Sequence, residues 1–233
     1  MIRKKFTVDS EVVNKTGRDT EIFGGRIRLG AGAKISKGTV IEAPVLIAPG
    51  ARILRDVSIG AYSYVGRNTI VANTQISRYC SIAHDCQINY FRGHPVDWLS
   101  THPFQFDDVN FAFWPDYSKF KKRQFDTDNT QRLVTIGPDV WMGAKACIFG
   151  GLQIGAGAIV GALALVRRDV PPYGIVVGSP ARTIKYRFSK SIIASLLRLK
   201  WWDLDKSRIK NLPFDNIKEC IAILEKSACR KKR

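Results

Sequence analysis

The sequence predicts an all-β solenoid, a parallel β-helix of hexapeptide repeats with one long excursion loop and a C-terminal α-helical cap. Three observations predict it. Aliphatic residues recur every six positions at Leu29, Ile35, Ile41, Ile47, Ile53, Ile59, Val65 and Val71. After one five-residue step the series continues through Ile76, Ile82 and Ile88, and it returns as Ile136, Met142, Ile148, Ile154, Val160 and Val166. The residue four after each aliphatic is usually small, as at Ala33, Ala51, Ser63, Cys80, Cys86, Ala146 and Ala164, and the residue one after is often glycine, as at Gly30, Gly60, Gly66, Gly143 and Gly161.

A period of six matches neither the 3.6 residues of a helical turn nor the plain alternation of a strand. It matches short strands separated by tight corners and wound into coils. The aliphatic residue fills a narrow interior, and the small residue lets the neighbouring wall approach. Glycine permits the backbone geometry of the corner. Backbone hydrogen bonds then run between coils, so each coil covers the edge of the one before it.

The elements follow in chain order. Residues Met1 to Ser10 carry positive charge, but no apolar segment follows, so no secretory signal is expected. Hexads begin near Leu29. Residues 90–133 break the period and are rich in aromatics, among them Tyr90, Phe91, Trp98, Phe104, Phe106, Phe111, Phe113, Trp114, Tyr117, Phe120 and Phe125. A break of that length inside a compact domain is usually functional or disordered, and the aromatic content argues against disorder. The expectation is an ordered excursion that packs on the solenoid or on another subunit. Past residue 180, Ser189 is placed to cap a helix carrying Ile192, Ile193, Leu196, Leu197 and Leu199, and Asp215 a second carrying Ile217, Ile221 and Leu224. Such a helical cap would cover the last open coil. The domain reading is therefore 1–185 for the β-helix, with the excursion at 90–133, and 186–233 for the cap and its basic tail, Arg230 to Arg233.

Composition bounds the function. The chain has 233 residues with 37 Lys and Arg against 20 Asp and Glu, a net charge of +17. A hydrophobic content of 45% is that of a globular protein and excludes wholesale disorder. Charges break every apolar stretch before it could span a bilayer. Five cysteines without paired spacing read as reduced thiols in a cytoplasm.

Three histidines, His84, His94 and His102, all lie in or beside the excursion. His94 stands in Gly93-His94-Pro95-Val96-Asp97-Trp98. An imidazole can take a proton from a hydroxyl and later return it. The alternative is a surface histidine without a role. Cys80, His84, Cys86 and His94 offer metal-binding groups, but in no common zinc spacing. Cys80 and Cys86 also occupy the small interior position, so no metal site is assigned. Arg167, Arg168, Arg182 and Lys185 bring positive charge to the end of the second repeat run. They suit phosphate groups, or they are solvated charges on a basic protein.

Four stretches carry a family likeness: Gly93 to Phe104; Ile136-Gly137-Pro138-Asp139-Val140-Trp141-Met142-Gly143; Val177-Gly178-Ser179-Pro180-Ala181-Arg182; and Arg187-Phe188-Ser189 through Lys200-Trp201-Trp202-Asp203. On these the chain resembles the xenobiotic acetyltransferases, left-handed β-helix hexapeptide-repeat acyltransferases that include type B chloramphenicol, streptogramin and sugar O-acetyltransferases. The likeness covers about residues 55–205. It implies left-handed winding, acetyl-CoA as donor, and a homotrimer with active sites between neighbouring subunits. It implies that His94 is the general base. It also implies that Gly143, Ala144, Gly161 and Ala162 line the pantetheine path. Arg167, Arg168, Arg182 and Lys185 would meet the nucleotide phosphates, and Trp141 walls the CoA groove or packs in the trimer. Asp97, Trp98 and His102 are acceptor-side candidates.

Two departures bear on the acceptor: the early start of the hexads and the basic run Lys119, Lys121, Lys122, Arg123. Together with the charge of +17, which suits an anionic polymer or a membrane surface, they rank a glycan hydroxyl first. The acceptor would be a surface polysaccharide or its precursor. An antibiotic hydroxyl ranks second. A γ-type carbonic anhydrase-like zinc protein ranks far lower, because only three histidines are available and their spacing does not match. Specific nucleic-acid binding rests on charge alone, without a motif.

Overall fold

The computed structural model describes residues 4–90, 93–107, 111–120, 122–125 and 132–229. Phe91, Lys121 and Arg230 to Arg233 lie outside the described residues.

Three hexads make one coil. Ile47 follows Leu29 by 47 − 29 = 18 residues and stacks on it in parallel register. Three parallel walls result. The first stacks Leu29, Ile47, Val65, Ile82, Met142, Val160 and Val176. The second stacks Ile35, Ile53, Val71, Ile88, Ile148 and Val166. The third stacks Ile41, Ile59, Ile76, Ile136 and Ile154, with Val170 bridging to Ile154. None of these residues is more than 3% exposed. Val170 and Val176 extend the ladder beyond Val166, but the four-residue step from Val166 to Val170 hides the extension from a strict period of six.

The small position has a second use. The fully buried Cys80 thiol donates to the Gly137 carbonyl at 3.2 Å, and Cys86 to the Gly143 carbonyl at 3.3 Å. Both cysteines thus help to tie adjacent coils. Gly143 shows why the corner is narrow. A Cβ there would sit 2.5 Å from the Ala162 backbone nitrogen in the next coil.

Each end of the solenoid is treated differently. At the start, strands Lys5–Thr7, Val12–Val13 and Thr20–Ile22 pair antiparallel with Val40–Glu42, Lys34–Ile35 and Ile27–Leu29. One lies on each wall, so all three open edges of the first coil are covered. Phe6, Val12 and Ile22 pack on the core beneath. At the other end, strand Arg182–Tyr186 pairs antiparallel with Gly174–Val177 and covers the first wall's edge.

Three helices follow: α1 (Lys190–Leu199), α2 (Lys206–Ile209) and α3 (Ile217–Cys229). The segment between α1 and α2 docks on the flank of the solenoid, at the corner between the third and first walls. Trp201 packs against Tyr79 with ring centroids 5.0 Å apart. Arg78 bridges Glu42 at 2.8 Å and Asp203. The sequence places this segment over the last coil; the flank offers it the stacked aromatics Tyr62 and Tyr79 instead. The cap of α3 is Asn216, not Asp215: its Oδ1 accepts the Glu219 N–H at 3.2 Å. Ser189 stands at the N-cap of α1, but its hydroxyl pairs with Ser191 Oγ rather than with a backbone N–H. No helix among the described residues is long and apolar enough to cross a membrane.

Burial sets a pH dependence. It pushes the Cys80 thiol up to about 12, from 9.0. Burial, with the charge of Asp139, pushes the Tyr173 hydroxyl up to about 12, from 10.0. Between about pH 9 and 12 the folded chain therefore holds more protons than the unfolded one, so stability falls as pH rises through that window. Urea midpoints should drop above about pH 9, and Cys80→Ala should flatten the drop. A midpoint that stays level across this range would contradict the burial.

Candidate active site

The excursion leaves the second wall after Ile88 and rejoins the third wall at Val134. It therefore projects from the corner between those walls. Asn89 stands at its neck. Its Nδ2 donates to the Asn73 and Arg132 carbonyls, each at 2.9 Å.

His94 follows five residues later, exposed, beside the buried Pro95. Its Nδ1 lies 2.7 Å from the Thr101 carbonyl oxygen. A carbonyl only accepts, so Nδ1 carries the proton and Nε2 of the neutral ring keeps a lone pair. That is the tautomer a general base needs. The ring is set edge-on to Phe106 at 6.3 Å. Phe106 in turn meets Trp98 at 6.1 Å and Phe125 at 5.0 Å, and Trp98 meets Phe125 at 5.5 Å. The His94 ring thus meets an aromatic cluster through Phe106. Asp97 is exposed next to it.

His102 takes the opposite tautomer. Its Nδ1 accepts the Phe104 N–H at 3.2 Å, capping the 3-10 turn Pro103–Gln105. In the neutral ring the proton is then on Nε2. The ring packs with Phe104, Phe111 and Tyr117, a second aromatic cluster. Lys122 is committed to that cluster: its Nζ donates to the Phe104 carbonyl at 2.6 Å and lies 4.6 Å over the Tyr117 ring. Lys119 pairs with Asp116. The basic run of the excursion is therefore partly spent on holding the loop.

His84 sits on the solenoid, where its Nδ1 meets Asp85 Oδ2 at 2.9 Å. The hydrogen bond from His84 holds the Asp85 carboxyl below the usual carboxylate range. The structure thus sets the Thr101 carbonyl and Phe106 against His94, with Trp98 packed on Phe106, and gives His84 a separate partner.

The donor-side candidates fall into three places. Ala144 and Ala162 stack in one column at the corner between the first and second walls, where the Leu163 N–H donates to the Ala144 carbonyl at 2.9 Å. Gly143 and Gly161 precede them, and the Gly143 backbone approach explains the first glycine by packing alone. Trp141 is 55% exposed on the outer face of the first wall. Arg167 lies 5.4 Å over the Phe149 ring, with Arg168 exposed beside it. Arg182 and Lys185 are exposed on the final strand. The Ala181 N–H, next to Arg182, donates to the Leu165 carbonyl at 2.8 Å, so the two basic segments lie side by side. A cavity of about 350 Å³ lies between the third wall and Trp202, lined by Glu42, Ser58, Arg78 and Asp203 among others, and none of the predicted site residues lines it.

Two features of the site leave no signal in the sequence. The Thr101 partner is a backbone carbonyl, which any residue would supply. The Phe106–Phe125 brace joins residues in an aperiodic segment.

The fold and this loop define a hexapeptide-repeat β-helix protein with a histidine-bearing excursion. No family model matches the chain. Among curated proteins it is 40% identical over 142 residues to a chloramphenicol acetyltransferase of Escherichia coli, covering 60% of this chain and 64% of that protein. It is 33% identical over 158 residues to a probable macrolide acetyltransferase of Lysinibacillus sphaericus, covering 67% of this chain and 78% of that protein. Among solved structures it is similar to a hexapeptide-repeat-containing acetyltransferase of Vibrio cholerae complexed with acetyl coenzyme A. That match has 21% identity and a TM-score of 0.43, over 63% of this chain and 66% of that one. The chain belongs to the family of the chloramphenicol and macrolide acetyltransferases. It spans 64% of the length of the Escherichia coli relative and of a second chloramphenicol acetyltransferase, from Morganella morganii.

Proposed function

We propose that the chain is an acetyl-CoA-dependent O-acetyltransferase whose acceptor is a hydroxylated small molecule of the antibiotic kind. The observation that carries the chemistry is the 2.7 Å contact from His94 Nδ1 to the Thr101 carbonyl, which leaves Nε2 as a base. Nε2 takes the proton of the acceptor hydroxyl. The acceptor oxygen forms a bond to the acetyl carbon as the carbon–sulfur bond breaks, and the proton passes from His94 to the departing thiolate. Donors aimed at the developing oxyanion would supply much of the remaining acceleration.

Trp98 lies on the acceptor side as an apolar wall, Asp97 as a polar group at its rim, and His102 as an Nε2–H donor. On the donor side, Gly143, Ala144, Gly161 and Ala162 line the pantetheine path beside Trp141. Arg167, Arg168, Arg182 and Lys185 meet the phosphates through charge-assisted hydrogen bonds.

The sequence alone ranks a glycan hydroxyl first. The relatives reverse that order, because the acceptors in their names are antibiotics. A glycan acceptor stays as the second reading on one observation, the net charge of +17, which also favours association with an anionic polymer or a membrane surface. Free thiols at Cys80, Cys86, Cys147 and Cys220 fit a reducing compartment, so the cytoplasm is the proposed location. The test is thiol release from acetyl-CoA against chloramphenicol, a macrolide, a streptogramin, and neutral and acidic glycans. Release that requires an antibiotic supports the first reading, release that requires a glycan supports the second, and release with none of them contradicts both.

The working unit is a homotrimer with active sites between neighbouring subunits. Its support is the outer face of the first wall, where Leu46, Tyr64, Trp141, Ile159 and Ile175 follow one another along the sheet, with Ser81 between Tyr64 and Trp141. Leu46, Tyr64 and Trp141 are 37%, 41% and 55% exposed, which makes an uncovered apolar stripe. Sedimentation should give three times the chain mass of 26.1 kDa. A monomer at micromolar concentration would contradict it.

A further inference from the structure

Asn89 ties together parts of the chain that its neighbours in sequence do not. It follows the last strand before the excursion, with φ of +53°. One amide nitrogen reaches the Asn73 carbonyl, 16 residues back, and the Arg132 carbonyl, 43 residues ahead. Both acceptors are already part of the inter-coil ladder: the Val134 N–H donates to Asn73 at 3.1 Å and the Gly151 N–H to Arg132 at 2.9 Å. The residue is 4% exposed. The two ends of the excursion, residues 89 and 132, are thus held by a single buried donor group. His94 lies in the chain between them.

The chemistry of the residue fits the task. Its NH₂ has two protons and uses both on carbonyls. Asparagine also tolerates the left-handed backbone that the corner demands. An aspartate would fit the same space, but once ionised it could donate to neither carbonyl.

We propose that Asn89 is a positioning residue: it closes the neck of the excursion and so holds His94 Nδ1 against the Thr101 carbonyl. The proposal rests on the reading of His94 as the base. A loosened neck lets the loop sample arrangements in which Nε2 no longer faces the acceptor hydroxyl. A displacement of about 1 Å at a reacting group can cost about 100-fold in rate.

The test is Asn89→Gly, which accepts the positive φ and removes both donors. The expected result is a kcat lowered about 10- to 100-fold, with KM for acetyl-CoA changed by no more than about twofold. In the His94→Ala background the same change should cost almost nothing further, because the two residues act through one interaction. Histidine ¹⁵N spectra give a readout that needs no acceptor. His94 should show a single Nδ1-protonated form in the parent chain and a mixture of tautomers in the variant. Asn89→Asp should reproduce both effects, and it serves in place of the glycine variant if that variant does not fold. An unchanged kcat with an unchanged His94 spectrum would overturn the proposal. Equal losses with and without His94 would overturn it too, by showing a general structural role. If the parent chain turns over no acceptor, the proposed function fails while the spectra still decide the positioning claim.

Discussion

Replacing His94 by alanine should lower kcat by about 10²- to 10⁴-fold, the usual contribution of a positioned general base. Binding of acetyl-CoA should be almost unchanged. The expectation comes from the loop's internal geometry. The Thr101 carbonyl fixes the proton on Nδ1, and Phe106 fixes the ring edge. Nε2 is then the free basic position, and alanine removes it without touching the columns of small residues assigned to the donor. The brace around Phe106, Trp98 and Phe125 does not include the imidazole nitrogens. The loop should therefore keep its form in the variant, and the loss should fall on the chemical step. Single-turnover kinetics with saturating donor would separate the two effects. A variant that keeps kcat within about tenfold would remove His94 from the mechanism.

The second large effect is on stability. Ile82→Ala should destabilise the fold by about 2–5 kcal/mol. Ile82 is fully buried and sits between Val65 and Met142 in the first wall. The interior it fills is narrow and bounded by three walls, each held together by inter-coil hydrogen bonds. Such a frame collapses poorly around a deleted side chain, so the cavity remains and its cost adds to the lost burial. For a chain of this size the melting temperature should fall by roughly 5–15 °C. Leu46→Ala is the matched control. Leu46 lies on the same wall but faces outward, and it should change stability by no more than about 0.5 kcal/mol in the dissociated chain. Thermal melts of the two variants check the claim. Equal losses would mean that the inward and outward faces of the wall were assigned wrongly.

Much of this architecture is legible in the sequence, because one physical constraint repeats. Each short strand of a coil sends an aliphatic residue inward at the same place, so the interior is written directly as Leu29, Ile35, Ile41 and their successors, with Ile27, Val45, Val57 and Val134 adding to it. The excursion is legible for the opposite reason: its aromatics follow no period, so they cannot belong to the walls. What is not legible depends on contacts without a period. The N-terminal strands are two or three residues long and run against the coils, so Phe6, Val12 and Ile22 leave no pattern although they pack on the core. The docking of Trp201 on Tyr79 spans 201 − 79 = 122 residues and could not be read from the local helix signal. The choice of Asn216 over Asp215 as a cap turns on a shift of one residue, which composition does not resolve.

The site divides along the same line. His94 stands out because histidines are few and its flanking residues restrict the backbone. Its working tautomer does not, since it depends on a main-chain carbonyl seven residues away. The glycines of the proposed donor column carry two meanings. Gly143 is required by the approach of Ala162 whether or not a ligand passes outside it. The four basic residues near the end of the solenoid are visible as charge, but the bond from the Ala181 N–H to the Leu165 carbonyl, which brings their two segments side by side, is not.

The central claim is transfer of an acetyl group from acetyl-CoA to a hydroxyl oxygen with His94 as base. Its most direct test is to incubate the chain with acetyl-CoA and chloramphenicol and to identify the product by mass spectrometry and NMR, alongside His94→Ala. The account predicts an acetyl ester on a hydroxyl oxygen, formed with one free thiol per ester and formed far more slowly by the variant. An ester that accumulates equally with both proteins would contradict it, as would thiol release that proceeds without any acetylated product.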